Sequence, residues 1–167
     1  MTDILRPLII MLLLAVSFSA YFLVIGALFS NRVEKTRRAV NQWTARSFGV
    51  GFVNFLFFGV IAAVLLIVTD ANANRVSSIV RAILLIPTLG VLGFLGILLS
   101  VGLTGVVNEL GAKLFSEYDN RKQTVLGGVV LTFACALPFV GWFLLLPYVG
   151  LVGIGAMILG FFQRDVN

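Results

Sequence analysis

Residues 124–162 read TVLGGVVLTFACALPFVGWFLLLPYVGLVGIGAMILGFF and contain no charged side chain. As a single helix this stretch would extend about 58 Å, whereas the hydrocarbon core of a bilayer is about 30 Å thick. The chain must therefore turn back within it. Residues that break helices or favour the membrane interface cluster near its middle: Pro138, Gly141, Trp142 and Pro147. We predict a Pro/Gly helical hairpin with arms at 124–137 and 147–162, in which Pro147 opens the second arm. A re-entrant loop is the alternative.

Three further apolar runs lie upstream, at residues 7–29, 48–68 and 82–107. Each is long enough for one membrane crossing, which needs roughly 20 helical residues. The composition agrees, because 60% of the residues are hydrophobic and only 11% are charged, whereas soluble domains are about one quarter charged. The sequence therefore predicts an all-α integral membrane protein. We expect a bundle of four to five transmembrane helices that forms a single domain over residues 1–167.

The basic residues are distributed unevenly between these runs. Segments 30–47 and 108–123 and the C-terminal tail contain nine of the twelve Lys and Arg residues, and the other connections contain Arg6, Arg75 and Arg81. With five crossings the nine bases lie on one side, which the positive-inside rule identifies as the cytoplasm. We predict a multi-pass protein of the bacterial inner (plasma) membrane with its N-terminus outside and its C-terminus in the cytoplasm. The first run, with 23 apolar residues, exceeds the hydrophobic part of a signal peptide and is expected to remain as a helix.

Both basic segments have the pattern of short amphipathic helices at the membrane interface. The first repeats apolar or small side chains at spacings of three and four: Val33, Thr36, Val40 and Trp43. The second repeats them at every fourth position: Leu110, Leu114 and Tyr118. In that second helix Glu109 and Lys113, and also Glu117 and Arg121, are spaced to pair.

A basic face with one aromatic residue is expected to meet the cytoplasm and anionic lipid headgroups. Its members are Arg32, Lys35, Arg37, Arg38, Trp43 and Arg46. Two interpretations are open for this face. It rests on the headgroups, or it forms a cytoplasmic platform on which a partner docks.

Small residues repeat at spacings that favour close helix packing in lipid. Gly96, Ser100 and Thr104 form one stripe, and Ala156 with Gly160 forms another. Asn54 is the strongest polar group inside an apolar run and is expected to form a hydrogen bond between helices. These residues predict a packing seam, either within the chain or against an oligomer or partner subunit.

The sequence lacks the residues on which several kinds of functional site depend. The sequence contains no histidine and a single cysteine, Cys135, within an apolar run, which excludes His-dependent triads, zinc sites of the usual kind and a disulfide within the chain. The acids Asp70, Glu109, Glu117 and Asp119 are expected in loops without a cleft around them. We therefore predict no catalytic residues, no metal, no cofactor and no enzyme activity. Because the bases separate apolar runs, no nucleic-acid partner is expected.

Three motifs resemble the membrane module of bacterial polymer-forming cytoskeletal proteins, which are bactofilin-like. They are Thr44-Ala45-Arg46-Ser47-Phe48-Gly49-Val50-Gly51, Ile86-Pro87-Thr88-Leu89-Gly90 and Leu137-Pro138-Phe139-Val140-Gly141-Trp142. The resemblance covers residues 38–164, and the β-strand repeat domain of that family does not occur in these 167 residues. It implies a bacterial membrane protein and assigns no chemistry.

Together these patterns predict a non-catalytic inner-membrane scaffold or accessory subunit of a larger membrane assembly. Its expected partners are the lipid bilayer and other membrane protein subunits or further copies of the chain, with a lipid as a candidate bound ligand. The alternative is a small oligomeric channel or transporter. That alternative rests on a repeated Pro-x-x-Gly-x-x-Gly pattern, which begins at Pro87 and again at Pro147.

Overall fold

The computed structural model describes residues 2–71, 78–137 and 139–162, with side chains given for residues 5–6, 8–68, 83, 85–137 and 139–162. Five α-helices account for nearly all of these residues: α1 (Thr2–Leu28), α2 (Ser30–Ala71), α3 (Ser78–Leu114), α4 (Asn120–Ala136) and α5 (Leu146–Phe162). A π-helical turn over Val140–Leu145 leads directly into α5. No strand occurs in the described ranges, and the predicted all-α class is confirmed.

Four segments are long and apolar enough to cross a membrane: Leu8–Leu28, Ser30–Val68, Leu85–Leu114 and Val140–Phe162. Their outward side chains are large and apolar, including Leu28, Ile67 and Ile86, each at least 66% exposed. A water-soluble surface would not carry so much contiguous apolar area. The chain is therefore built as a multi-pass helical membrane protein. Helix α4, with 17 residues, is shorter than a typical span.

Helix α3 lies at the centre of the bundle and contacts each of the other four helices. Helix α1 packs against α4, and α2 packs against α5. The two arms of the predicted hairpin, α4 and α5, run in opposite directions, because α4 is antiparallel to α3 whereas α5 is parallel to it. Each arm packs mainly against other helices rather than against its partner arm.

Glycines let the backbones of these helices touch. A Cβ atom on Gly155 of α5 would overlap the backbone carbonyl of Ser47 in α2, and one on Gly51 would overlap that of Leu151. Gly102 of α3 and Gly153 of α5 face each other in the same way. Association in lipid depends on such close packing, because hiding apolar surface from lipid gains nothing.

Between the two arms of the hairpin the chain forms a π-helical turn rather than an open loop. Phe139 adopts φ 67° and ψ −64°, a strained γ-turn conformation for a side chain with a Cβ. The amide N–H of Leu146 donates to the carbonyl of Gly141, five residues earlier, which defines the π-helical winding. Gly141 is buried against the carbonyls of Ala134 and Cys135, while Trp142 is 69% exposed.

Pro147 does not open the returning arm as predicted. It is the second residue of α5 and follows the six π-helical residues Val140–Leu145. In an α-helix the proline ring would clash with the carbonyl four residues earlier. The wider π-turn before Pro147 relieves this clash. The returning arm thus begins at Val140 and reaches 23 residues, enough for a crossing. Pro138 lies outside the described residues. In α3, Pro87 is inside the helix, nine residues after its start, and not at its beginning.

The first predicted interfacial helix ends earlier than expected, because α2 consists of two helical parts that meet at a kink at Trp43 rather than at residues 47–48. Its stripe was expected to face lipid, but Val33, Thr36 and Val40 are buried within the protein. Val33 packs with Leu98 of α3 and with side chains of α5, which provide apolar contacts where headgroups were expected. A break remains at Trp43, where φ is −139° and ψ is 49°.

The break at Trp43 leaves one hydroxyl without a partner. Thr36, Thr44 and Thr104 each donate a hydrogen bond to the carbonyl four residues earlier in their helix. The corresponding acceptor for Ser47 would be the carbonyl of Trp43, where the backbone is not helical. Ser47 Oγ is the only buried polar side-chain atom without a partner among the described side chains.

The second predicted interfacial helix is also corrected. Leu110 and Leu114 form the end of α3, and Tyr118 lies in the non-helical connection 115–119. This connection is not helical because it forms a tight turn. Gln123 Nε2 of α4 stabilises the turn by donating to the carbonyls of Phe115 and Tyr118. The Glu109–Lys113 pair is confirmed at 3.2 Å. Glu117 lies in the connection and makes no ion pair with Arg121 among the described side chains.

The glycine contacts predict opposite effects for two Gly→Ala substitutions. Gly155→Ala should lower the free energy of unfolding by about 1–3 kcal/mol, because the new methyl group overlaps the α2 backbone. Gly96→Ala is the matched control, since no atom lies within 4 Å of its Cβ position. It should be neutral or stabilising by up to about 1 kcal/mol, owing to the higher helix propensity of alanine. Denaturant titration of the detergent-solubilised protein measures both values, and equal effects would contradict this packing.

Candidate functional site

Polar side chains gather at one end of the bundle, where α1 and α3 finish and α2 and α4 begin. Gly26 of α1 lies beside Thr104 of α3, and Gly111 of α3 lies against Gln123 of α4. The C-terminal part of α5 reaches the same end, because Gly160 approaches Lys35 of α2. We call this region the polar end and define it by Glu34, Arg37, Asn41, Asn108, Glu109, Lys113, Arg121, Gln123 and Thr124.

A buried carboxylate organises the polar end. Glu109 of α3 is only 5% exposed. Its Oε1 accepts from Asn41 Nδ2 at 2.6 Å and lies 3.2 Å from Lys113 Nζ, and its Oε2 accepts from Arg37 Nε at 3.3 Å. Two of these partners belong to α2, so the cluster joins α2 to α3. Both carboxylate oxygens are thereby satisfied, as a buried charge requires.

The expectation that Glu109 lies in a loop without a cleft is wrong. Helix α3 continues to Leu114, beyond the last residue of the apolar run at 107. The helix can carry a charge at this depth because α2 supplies the compensating donors. A signal was present in the sequence, since Glu109 and Lys113 are four apart on what proves to be the last part of α3.

Beside this cluster lies a cavity of about 570 Å³ between α1, α2, α3 and α4. One wall is apolar and comes largely from α1: Phe22, Leu23, Val24, Gly26 and Ala27, with Val33 of α2. The other wall is polar: Ser30, Glu34, Arg37, Asn108, Asn120, Arg121, Gln123 and Thr124. Thr124 Oγ1 donates to Asn108 Oδ1 at 2.7 Å, which fixes part of the polar wall. The cavity lining therefore has an apolar part and a polar part, which suits an amphiphilic ligand.

The predicted basic face divides into parts with different contacts. The Arg37 guanidinium turns inward to Glu109, whereas Arg38 is exposed and pairs with Glu34 at 3.2 Å. Arg32 stacks over the Phe161 ring of α5 at 4.1 Å. Beyond the break, Arg46 lies 5.9 Å from the exposed Trp43 ring. Lys35 is half-buried and its backbone lies beside Gly160 of α5. These residues therefore do not form one uniform surface.

The predicted packing seam is internal at most of its positions. Thr104 and Ala156 are fully buried, and Gly160 is buried against Lys35 and Thr36. Ser100 is half-buried and accepts a hydrogen bond from Tyr21 Oη at 2.6 Å.

Two positions of that seam have other surroundings. Gly96 is exposed, with open space at its Cβ position. Asn54 Nδ2 donates to the Val50 carbonyl of its own helix at 2.9 Å, and the expected bond between helices does not occur among the described side chains. An amide can satisfy one donor on the turn before it without a neighbouring helix.

Sequence reasoning missed the glycines that make the closest contacts: Gly51, Gly102, Gly111, Gly127, Gly153 and Gly155. They do not share one four-residue repeat, and only the glycine-rich character of α5 pointed to them. Among the described side chains, no three His, Cys, Asp or Glu residues come together as metal ligands.

The Glu109 cluster predicts a difference between two acids on the same network. Glu109→Ala should lower the free energy of unfolding by roughly 2 kcal/mol, because it leaves Arg37 and Asn41 without their buried acceptor. Glu34→Ala removes an exposed pair with Arg38 and should cost less than about 1 kcal/mol. Thermal and denaturant unfolding in one detergent compares the two, and a larger loss for Glu34→Ala would contradict this role of Glu109.

No protein-family model, no curated protein and no solved structure matches this chain. The relation to the membrane module of bactofilin-like proteins therefore stays a hypothesis drawn from the sequence. The polar end and the exposed helix faces are the basis on which a function can be proposed.

Proposed function

We propose that the chain is a non-catalytic membrane scaffold, an accessory subunit that contributes lipid-embedded helices to a larger membrane assembly. This proposal rests on the different extents to which the long helices are buried within the chain. In the most apolar 18-residue stretch of each span, only 11% of the residues are buried in α2 and 17% in α1. The corresponding shares are 33% for α3 and 44% for Val140–Phe162. Two of the four long helices thus keep most of their surface for lipid or for another subunit.

The far half of α2 has the shape of a packing surface. Phe52, Val53, Leu56, Phe57, Val60 and Ile61 line an open apolar groove of about 440 Å³. Aromatic side chains along a helix supply large contact areas at low entropic cost. In lipid, such a groove favours the ridge of a second transmembrane helix by van der Waals packing.

The interior gives less support to the alternative of a channel or transporter. The backbones of α2, α3 and α5 touch at glycines in the middle of the bundle, which leaves little room between these helices. The polar cavity is lined by residues of α1 to α4 at the polar end, and its lining does not reach the other end of the described bundle. A conducting path would therefore require a second copy or a large rearrangement.

Native co-purification tests the scaffold. Leu56→Arg places a charge in the groove of α2, and Leu13→Arg places the same charge on the exposed face of α1 as the control. We expect the wild type and the control to bring down stoichiometric subunits in mild detergent, and the groove variant to lose them, because a desolvated charge opposes helix packing.

Recovery of the wild type as a lone monomer would overturn this function. So would selective ion flux through liposomes that contain only this chain, because a scaffold should leave the vesicles tight.

We further propose a bacterial inner membrane as the location, with the polar end in the cytoplasm and the N-terminus outside. Support comes from the grouping of bases: the start of α2, the end of α3 and the start of α4 share one end of the bundle. By the positive-inside rule such an end faces the cytoplasm. The sequence resemblance to a bacterial membrane module agrees with this location.

Cysteine labelling tests the orientation. In a Cys135→Ser background, Ser116→Cys lies in the connection between α3 and α4, and Asn74→Cys falls in the sequence after the last residue of α2 and before the first residue of α3. An impermeant maleimide added to intact spheroplasts should label Asn74→Cys and leave Ser116→Cys unmodified until the membrane is opened. The reverse pattern would invert the orientation.

A further inference from the structure

We propose that the cavity at the polar end binds the headgroup of one anionic phospholipid. The site is the space of about 570 Å³ between α1, α2, α3 and α4. This volume lies within the range of small-ligand sites in proteins. It is separate from the apolar groove of α2, so this inference does not depend on the scaffold function.

The charge of the cavity wall favours an anion. Two guanidinium groups, Arg37 and Arg121, line it together with one acid, Glu34. Arg37 is already engaged by Glu109 and Glu34. The Arg121 guanidinium makes no hydrogen bond or ion pair with any described side chain or backbone group. A guanidinium with free donors matches the oxygens of a phosphodiester, to which it can donate two parallel hydrogen bonds.

Backbone N–H groups beside Arg121 extend this match. Asn120 and Arg121 lie in the first turn of α4, which contains no acid. The side chains of Gln123 and Thr124 also line the cavity, but they already donate to Phe115, Tyr118 and Asn108. Asp119 precedes the helix but makes no capping hydrogen bond with its side chain. The first amides of α4 therefore keep unsatisfied N–H groups next to Arg121, and the helix dipole adds to the attraction for an anion.

The apolar wall distinguishes a lipid from a soluble phosphate. Leu23, Val24 and Ala27 of α1 face the cavity, and Val24 is also exposed on the outer surface. The apolar span of α1 ends at Leu28, so this wall lies where acyl chains meet headgroups. A phospholipid can place its phosphate at Arg121 while its chains follow α1 into the hydrocarbon.

The test measures lipid retained by the full-length protein in detergent micelles by native mass spectrometry, with phosphatidylglycerol and phosphatidylcholine as probes. Wild type should retain one phosphatidylglycerol in preference to phosphatidylcholine. Arg121→Gln should weaken phosphatidylglycerol binding about tenfold, the loss typical of a charge-assisted contact. Lys122→Gln removes the same charge from the neighbouring residue, which does not line the cavity, and should change binding less than about twofold.

A second pair of variants tests the cavity without altering charge. Ala27→Trp should fill it and abolish lipid retention, whereas Leu28→Trp, which does not line it, should bind as wild type. Excess glycerol 3-phosphate should not displace the lipid, since it lacks acyl chains. The proposal is overturned if Arg121→Gln and Lys122→Gln behave alike, if both tryptophan variants retain lipid, or if glycerol 3-phosphate competes as well as phosphatidylglycerol does.

Discussion

Direct contact between helix backbones is the constraint on which the rest of this bundle depends. At Gly51 and Gly155, and again at Gly102 and Gly153, no side chain separates the helices, so α2, α3 and α5 approach as closely as their backbones allow. Water does not drive association in hydrocarbon, and dispersion between well-fitted surfaces must supply the cohesion. Such contacts also fix rotation and register, because a one-residue shift would bring a side chain to the place where the glycine fits.

The polar end adds specificity to this packing. Glu109 accepts hydrogen bonds from two residues of α2, and it can be buried only in the arrangement that brings those donors to it. A buried charged cluster contributes little net stability but penalises every alternative pairing that leaves the carboxylate without donors. Close packing and the Glu109 cluster therefore act in different ways, one by supplying cohesion and the other by disfavouring wrong arrangements of the same helices.

Periodicity and length were sufficient to predict the all-helical class and the turn within residues 124–162, because hydrocarbon thickness limits the length of a span. Contact residues were harder to predict, since the rotation of each helix depends on its neighbours. The four-residue stripe selected Gly96, which faces outward, and missed Gly155, which touches Ser47. Glu109 was misplaced because the end of α3 was set at the last apolar residue, whereas its donors come from about seventy positions away in the chain.

The main contacts of α1 and α2 are made with helices later in the chain, which affects how the protein is assembled during synthesis. Helices α1 and α2, which leave the ribosome first, scarcely touch each other, and their main neighbours, α4 and α5, are synthesised last. The nascent chain therefore cannot close a stable N-terminal hairpin and wait for the remainder. Until the final helix is inserted, the carbonyls of α2 that will meet glycine and the hydroxyl of Ser47 remain open to lipid or to an insertion factor. Truncation within α5 is therefore expected to deprive α2 of its main neighbour.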